Sequence, residues 1–95
     1  MEEAGVVFEF DPEKSAANLA KHGIDFEAAQ ALWLDENAID IEARSDTELR
    51  AGVTGMIEDR CWTAFFTVRG EAIRIISVRR ARDYEVEAYE WQKDS

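Results

Sequence analysis

The chain has 95 residues, which suits a single domain with one hydrophobic core. Hydrophobic residues make up 46% and charged residues 34%, a balance that excludes a disordered chain, and no apolar run reaches membrane-spanning length. The single cysteine, Cys61, excludes an intrachain disulfide and a cysteine-based metal cluster, and the acidic N-terminus lacks the basic start of a secretory signal, so a reducing, cytoplasmic location is expected.

Arginines are concentrated in one segment of this acidic chain. The formal net charge is −10, yet residues 61–82 hold five arginines and a single glutamate, and both ends of the chain are acidic. The total argues against a nucleic-acid ligand, because phosphate binding requires positive charge, whereas the arginine-rich segment argues for one. Arginines on an exposed strand face would give the same pattern, so the asymmetry leaves both interpretations open.

The first part of the chain is predicted to form one strand and two helices. The segment "VVFEF" is rich in residues that favour strands. Asp11 is expected to cap the first helix, Pro12 to fill its first position, and Gly23 to end it directly after His22. A second helix is expected from its cap, Asp25, to about residue 35. Its apolar face is formed by Phe26, Ala29, Leu32 and Trp33.

Four strands and a last helix are predicted for the remainder. The strands correspond to "AIDIEA", "ELRAGVTGMI", "RCWTAFFTV" and "EAIRIISVRR", with a tight turn at Arg69-Gly70. Asp83 is expected to cap the last helix. Helices that are separate from consecutive strands indicate one α+β domain over residues 1–95, with an antiparallel sheet of about four further strands and the helices on one face. One face of the last helix carries Tyr84, Ala88 and Trp91.

Two blocks of this sequence resemble the BrnT family of toxins. They are "FEFDPEKSAANLAKHGIDFEAA" and "RGEAIRIISVRRARDYEVEAY", so the resemblance spans roughly residues 8–90. Matching positions in the first block are Phe8, Phe10, Asp11, Lys14, Asn18, Lys21, His22, Gly23, Ile24, Phe26 and Ala29. Matching positions in the second block are Arg69, Gly70, Ile73, Arg74, Ile75, Ile76, Ser77, Arg79, Ala81, Glu85 and Tyr89. A looser match in the middle of the chain involves Glu48, Arg50 and Gly55.

The resemblance implies a RelE-like fold and a ribonuclease, without a cofactor, that arrests translation. It also implies a BrnA-type antitoxin with a ribbon-helix-helix domain as partner, in a heterotetramer of two toxins on an antitoxin dimer. Operator DNA would then be contacted only through the antitoxin, and no membrane would be involved. Val68 stands where the family commonly has an acid. This departure and the acidity of the chain favour an alternative, a catalytically weak homologue that acts as an antitoxin-binding corepressor.

Metal-independent RNA cleavage uses the 2′-hydroxyl of the substrate as nucleophile. The protein must remove its proton, stabilise the charge that develops on the phosphate, and protonate the leaving oxygen. Arginine suits the second task, because its planar guanidinium binds two phosphate oxygens and stays charged. No metal site is predicted. With the resemblance, the predicted catalytic residues are Lys21, His22, Glu48, Arg50, Arg79 and Arg80. The predicted RNA-binding residues are Arg69, Arg74 and Tyr89.

Several of these candidates also have a structural interpretation. Lys21 and His22 suit the negative end of a helix dipole, which explains the only histidine of the chain without catalysis. Glu48 and Arg50 have the spacing of a cross-strand charge pair. Tyr89 suits packing with its hydroxyl at the surface.

The tryptophans and the arginine-rich strand raise two further questions. Trp33, Trp62 and Trp91 are expected in the core, and a role in base stacking would require an exposed Trp62 beside the arginines. In a regular strand Arg74 and Arg79 lie on opposite faces, whereas a β-bulge between them would bring them to the same face.

Overall fold

The computed structural model describes residues 6–44 and 49–95. Its elements follow the predicted order, so the α+β class is confirmed. The strands are β1 (Val7–Glu9), β2 (Ile39–Arg44), β3 (Leu49–Ile57), β4 (Arg60–Arg69) and β5 (Ala72–Arg80). The helices are α1 (Pro12–His22), α2 (Phe26–Ala29), which continues as the 3-10 helix Gln30–Leu34, and α3 (Asp83–Lys93).

The five strands form one mixed sheet in the order β1-β5-β4-β3-β2. Strands β2 to β5 pair antiparallel with their neighbours in sequence, as predicted, and β1 adds to β5 in parallel. The turn between β4 and β5 consists of Gly70 and Glu71 rather than Arg69-Gly70, because Arg69 still pairs with Ala72. Gly70 has a φ of 62°, which favours glycine at the first residue of a two-residue hairpin turn.

The hydrophobic core lies between the sheet and the helical segment that follows β1. Val53, Ala64 and Val78 are paired across three neighbouring strands and are buried. Phe26 and Leu32 of the helical segment are buried against them in the same core cluster. The predicted apolar face of the second helix is thus confirmed.

Helix α3 packs on the opposite face of the sheet, so the expectation that the helices share one face is wrong. Thr54 and Thr63 pair across β3 and β4, and alternation along the strands directs them away from Val53 and the core. Their hydroxyl oxygens lie 2.7 Å apart, and Thr63 donates to the carboxylate of Glu85 in α3 at 3.0 Å. Hydrogen bonds between polar side chains therefore attach α3 to the sheet.

Two features of α3 differ from the prediction. The capping position is Arg82 rather than Asp83, and the N–H of Arg82 donates to the Glu85 side chain at 2.8 Å. The predicted aromatic face points to solvent, with Tyr84 63% exposed and Trp91 73% exposed, because Glu85 occupies an inward position instead. Trp91 is therefore not a core residue.

The ends of the first two helices agree with the prediction. Asp11 accepts a hydrogen bond from the N–H of Glu13 at 2.9 Å, and Asp25 accepts one from the N–H of Ala28 at 2.8 Å. Gly23 ends α1 in the left-handed conformation, with a φ of 83°. Among residues 6–44 and 49–95, the helices are too short or too polar for any of them to cross a membrane.

Candidate functional site

A β-bulge in β5 decides which arginines share a side of the sheet. Ile76 is the extra residue, because the residues on either side of it pair with Phe66 and Phe65, which are consecutive in β4. One extra residue reverses the alternation of side chains, so Arg74 and Arg79 lie on the same face. This is the face on which α3 packs, since Arg79 binds Glu85 of α3.

Helix α1 covers the edge of β5 beyond the short strand β1. The Asn18 side chain donates to the carbonyl oxygen of Val78 at 3.0 Å and accepts from the N–H of Val78 at 3.2 Å, as a neighbouring strand would. Its nitrogen also donates to the carbonyl oxygen of Ile24 at 2.8 Å, which holds the chain where it leaves α1. Lys14 and Lys21 are one turn before and after Asn18, so this contact also directs both lysines towards the strand.

Four cationic side chains surround one groove, which we call the cationic groove. Thr67 and Arg74 pair across β4 and β5 within it, and α1 contributes Lys14. Four positive charges around one concave surface favour an anionic ligand. The residues that line the groove are Lys14, Arg50, Thr67, Arg69, Arg74 and Ile76.

Two of these arginines already share an anion. One carboxylate oxygen of Glu9 lies 3.7 Å from Nη1 of Arg69 and 3.6 Å from Nη1 of Arg74. Parallel pairing of β1 with β5 places Glu9 directly beside Arg74. Such exposed ion pairs contribute little to stability. Their geometry shows that both guanidinium groups can approach a single oxygen atom from a ligand.

A second groove adjoins the first, and we call it the histidine groove. It shares Lys14 and Ile76 with the cationic groove, so the two form a continuous surface. His22 is half-buried there at the last residue of α1. The two interpretations of "KHG" are therefore compatible, because the same residue ends the helix and lines a groove. The lining residues are Lys14, Ala17, Asn18, Lys21, His22, Phe26, Ile76 and Ser77.

Arg79 is committed to a buried ion pair. Its two terminal nitrogens donate to the two carboxylate oxygens of Glu85 at 2.8 and 2.9 Å, and the Glu85 side chain is only 1% exposed. Burial by itself would raise the pKa of Glu85, but hydrogen bonds from Arg79, Arg82 and Thr63 outweigh it and lower the pKa to about 2. Arg79 therefore holds α3 to the sheet.

Arg80 lies over the ring of Trp62, with 5.5 Å between the guanidinium carbon and the ring centre. These two residues pair across β4 and β5, next to Thr63 and Arg79, so alternation places them on the core face, away from the cationic groove. Trp62 is 7% exposed, as expected for a core residue, and so does not meet the condition for base stacking.

Tyr89 is buried, as expected for a packing residue, and its hydroxyl has a partner within the fold. The hydroxyl donates to Oδ2 of Asp35 at 2.7 Å, and the same oxygen accepts the N–H of Met56 at 2.8 Å. Burial, followed by this bond to Asp35, raises the pKa of Tyr89 to about 12. Asp35 thus links the end of the 3-10 helix to β3 and α3.

The structure therefore divides the predicted site residues into groups. Arg50, Arg69 and Arg74 line the cationic groove, and Lys21 and His22 line the histidine groove. The residues placed elsewhere are Arg79, Arg80 and Tyr89, and Glu48 lies outside the described residues. In the described part of the chain, no group of three or more His, Cys, Asp and Glu side chains is arranged to hold a metal ion.

Lys14 and Ser77 were not predicted as site residues, although both line the grooves. Lys14 precedes Lys21 by seven residues, a spacing that places both lysines on one side of a helix. This spacing could have indicated Lys14 as a further site residue. Ser77 faces the histidine groove next to the bulge at Ile76, and no sequence signal predicted that bulge.

Comparison with known proteins agrees with the resemblance seen in the sequence. The chain matches no curated protein. Residues 10–85 match the family described as "Ribonuclease toxin, BrnT, of type II toxin-antitoxin system". This match covers α1 through the start of α3, including the described residues of both grooves. The chain therefore belongs to the BrnT family of ribonuclease toxins of type II toxin-antitoxin systems.

Proposed function

We propose that this ribonuclease toxin cuts RNA on the surface formed by the cationic and histidine grooves, without a metal ion, and thereby arrests translation. The observation that carries the proposal is that Arg69 and Arg74, which line a groove with two further cations, both approach one carboxylate oxygen of Glu9. A phosphate oxygen has the charge and size to replace that carboxylate oxygen. The same positive charges repel a divalent cation, which supports metal-independent chemistry.

In the proposed reaction the RNA 2′-hydroxyl attacks the adjacent phosphorus. Its proton passes to a base, the bond from phosphorus to the 5′-oxygen breaks, and that oxygen receives a proton. We assign the proton transfers to the His22 side of the site, because an imidazole nitrogen can accept a proton and an imidazolium can donate one. Arg50, Arg69 and Arg74 would stabilise the phosphate charge. Glu48 remains a candidate base, as predicted.

The contacts of the other two predicted catalytic arginines support a structural role for them. Arg79 is engaged by Glu85, and Arg80 covers Trp62 on the core face. We propose that Arg79, Arg80 and Tyr89 act by holding the structure, and that the predicted contact of Tyr89 with RNA is replaced by its bond to Asp35.

The family indicates that the toxin has a cognate antitoxin. We propose that this antitoxin is of the BrnA type, with a ribbon-helix-helix domain, and that it forms a cytoplasmic heterotetramer with the toxin. Operator DNA would be contacted through the antitoxin, because the exposed acidic residues of the toxin repel phosphate. We also propose that the fold is RelE-like. Two observations support this: the chain belongs to a family of ribonuclease toxins, and strands β2 to β5 of its α+β fold form an antiparallel meander.

The proposal predicts loss of toxicity when the groove changes. Induced alone in a bacterial host, the wild-type chain should arrest growth, whereas cells that express Arg69→Ala/Arg74→Ala should grow. Each arginine would stabilise the phosphate charge in the transition state by about 3 kcal/mol. His22→Ala should reduce cleavage of purified RNA at least about 100-fold. A matched control, Arg60→Ala/Arg82→Ala, removes the same charge from two exposed arginines outside the grooves and should remain toxic.

These experiments also separate the alternative function, a corepressor with weak catalysis. Val68, which motivated it, pairs with Ile73 and is on the opposite face from Arg74. A folded wild-type chain that neither arrests growth nor cuts RNA, but tightens operator binding by its antitoxin, would replace the ribonuclease proposal with the corepressor. Full toxicity of a folded Arg69→Ala/Arg74→Ala variant would instead place the active site elsewhere.

A further inference from the structure

Two aromatic side chains on α3 face solvent instead of the sheet. Tyr84 is 63% exposed and Trp91 is 73% exposed, whereas Glu85 and Tyr89 fill the inward positions of the helix. Residues seven apart lie two turns apart on one side of a helix, so the two rings form a stripe with Ala88 between them. The Tyr84 side chain also interacts with the Arg79 guanidinium of β5, whereas the exposed part of its ring, together with Ala88 and Trp91, is available to another molecule.

A row of carboxylates runs beside the aromatic stripe. Its members follow each other at spacings of four, three and four residues, which keeps them on one side of the helix. Lys93, the basic residue of α3, lies one turn after Glu90 and also acts on Asp35, so a single cation adjoins one end of the row. The row consists of the exposed residues Asp83, Glu87, Glu90 and Asp94.

The charge of this row selects the class of molecule that can bind. RNA and anionic lipid would be repelled by four exposed carboxylates. A second copy of this chain, related by two-fold symmetry, would bring the same row against itself. A helix with apolar residues on one side and lysine or arginine beside them matches both the stripe and the row. Tryptophan and tyrosine are also the residues that most often dominate binding energy at protein interfaces.

We propose that this outer face of α3 binds a basic amphipathic helix of the cognate antitoxin. The inference rests on the antitoxin partner named under the proposed function, and it adds where and through what chemistry that partner docks. The surface is separate from both grooves, whose lining residues come from α1, α2 and the sheet. Antitoxin binding can therefore be measured independently of RNA cleavage.

Binding kinetics between the full-length chain and the full-length antitoxin encoded beside its gene test the proposal. Trp91→Ala should raise the dissociation rate constant at least about tenfold, because truncation of a central aromatic residue removes buried contact area. Glu87→Lys/Glu90→Lys should lower the association rate constant at low salt about tenfold and remove most of its salt dependence. Glu27→Lys/Glu58→Lys makes the same change in net charge at exposed acids outside α3 and should bind like the wild type.

Each other outcome has a distinct meaning. Wild-type kinetics in both α3 variants would overturn the proposed surface while leaving the antitoxin partner in place. Failure of the wild-type chain to bind would remove the partner itself, which belongs to the proposed function. Wild-type dimers that dissociate in Trp91→Ala would show that the stripe binds a second copy, which also overturns the inference. Because the substituted side chains are exposed, each variant should remain folded, and its unfolding midpoint is measured as the control.

Discussion

Two carboxylates, Glu85 and Asp35, connect α3 to the rest of the molecule. Glu85 accepts hydrogen bonds from Thr63, Arg79 and the N–H of Arg82, and Asp35 accepts from Tyr89. Among the described residues, no buried side-chain nitrogen or oxygen lacks a hydrogen-bond partner. A substitution that removes one side chain of this network leaves its hydrogen-bond partners unsatisfied. Each such substitution should therefore lower the free energy of unfolding.

At Glu85 we expect a large and pH-dependent effect. Glu85→Gln should lower the free energy of unfolding at pH 7 by about 3 kcal/mol, because it leaves the Arg79 guanidinium partly buried beside a neutral group. Glu87→Gln, at an exposed position of the same helix, is the control and should change it by less than about 0.5 kcal/mol. Urea unfolding at pH 7 measures both differences.

The pH dependence follows from the lowered pKa of Glu85. Its pKa is about 2 in the folded chain and near 4.5 without these contacts, so its stabilisation is complete above pH 4.5 and is lost as the pH falls towards 2. The difference between wild type and Glu85→Gln should therefore shrink between pH 5 and pH 3. A difference that stays constant over this range would show that the charge of Glu85 is not what stabilises α3.

At the scale of elements, the placement of α1 depends on one side chain. Asn18 bonds both the N–H and the carbonyl oxygen of Val78 and thereby acts as the missing neighbour of β5. The lysines of α1 reach the grooves through this contact. A short amide side chain is well suited to this position, since it offers a donor and an acceptor in one plane.

Loss of this contact should destabilise the chain and loosen the edge of β5. Asn18→Ala leaves two backbone groups of Val78 without partners, so we expect a loss of about 2–4 kcal/mol in the free energy of unfolding. Hydrogen exchange at the Val78 amide should become faster as well. Asn37→Ala, at an exposed asparagine, provides the control. Unchanged protection of Val78 in the Asn18 variant would contradict the role assigned to this side chain.

At the scale of the whole molecule, the charges are separated in space. The chain has a net charge of −10, yet the cationic groove gathers four positive side chains, while the exposed carboxylates of α3 lie along a helix that does not line it. An acidic protein can thus carry a locally positive surface. The local field decides whether an anion binds, because charges further away are screened by salt.

Salt dependence of nucleic-acid binding should report this separation. With three or four phosphates bound, the slope of log K against log salt should be about −2 to −3 for a single strand. A DNA oligonucleotide suits the measurement because it lacks the 2′-hydroxyl and cannot be cut by the proposed reaction. Arg69→Ala/Arg74→Ala should reduce the slope by about 1.4, and Arg60→Ala/Arg82→Ala should leave it unchanged. Equal slopes for both pairs would argue against a phosphate site in the cationic groove.

The sequence by itself determined the order of the elements, the caps of the first two helices and the family, because these depend on local patterns. Asp11, Gly23 and Asp25 mark helix ends through hydrogen bonds and backbone angles within a few residues. The alternation of Ile39 and Ile41 with acids likewise predicts a strand without reference to distant residues. Part of the candidate site, including His22 and Arg74, followed from the family resemblance.

Tertiary structure alone decided what each arginine contacts and which side of the sheet α3 covers. The bulge at Ile76 reverses the alternation in β5, and its signal lies in the pairing with β4 rather than in the neighbouring residues. Arg79 and Arg74 look alike in the sequence, yet one meets a buried carboxylate from α3 and the other an open groove. Charge and spacing identify residues that can bind phosphate, whereas partners brought together by folding decide which of them are available to do so.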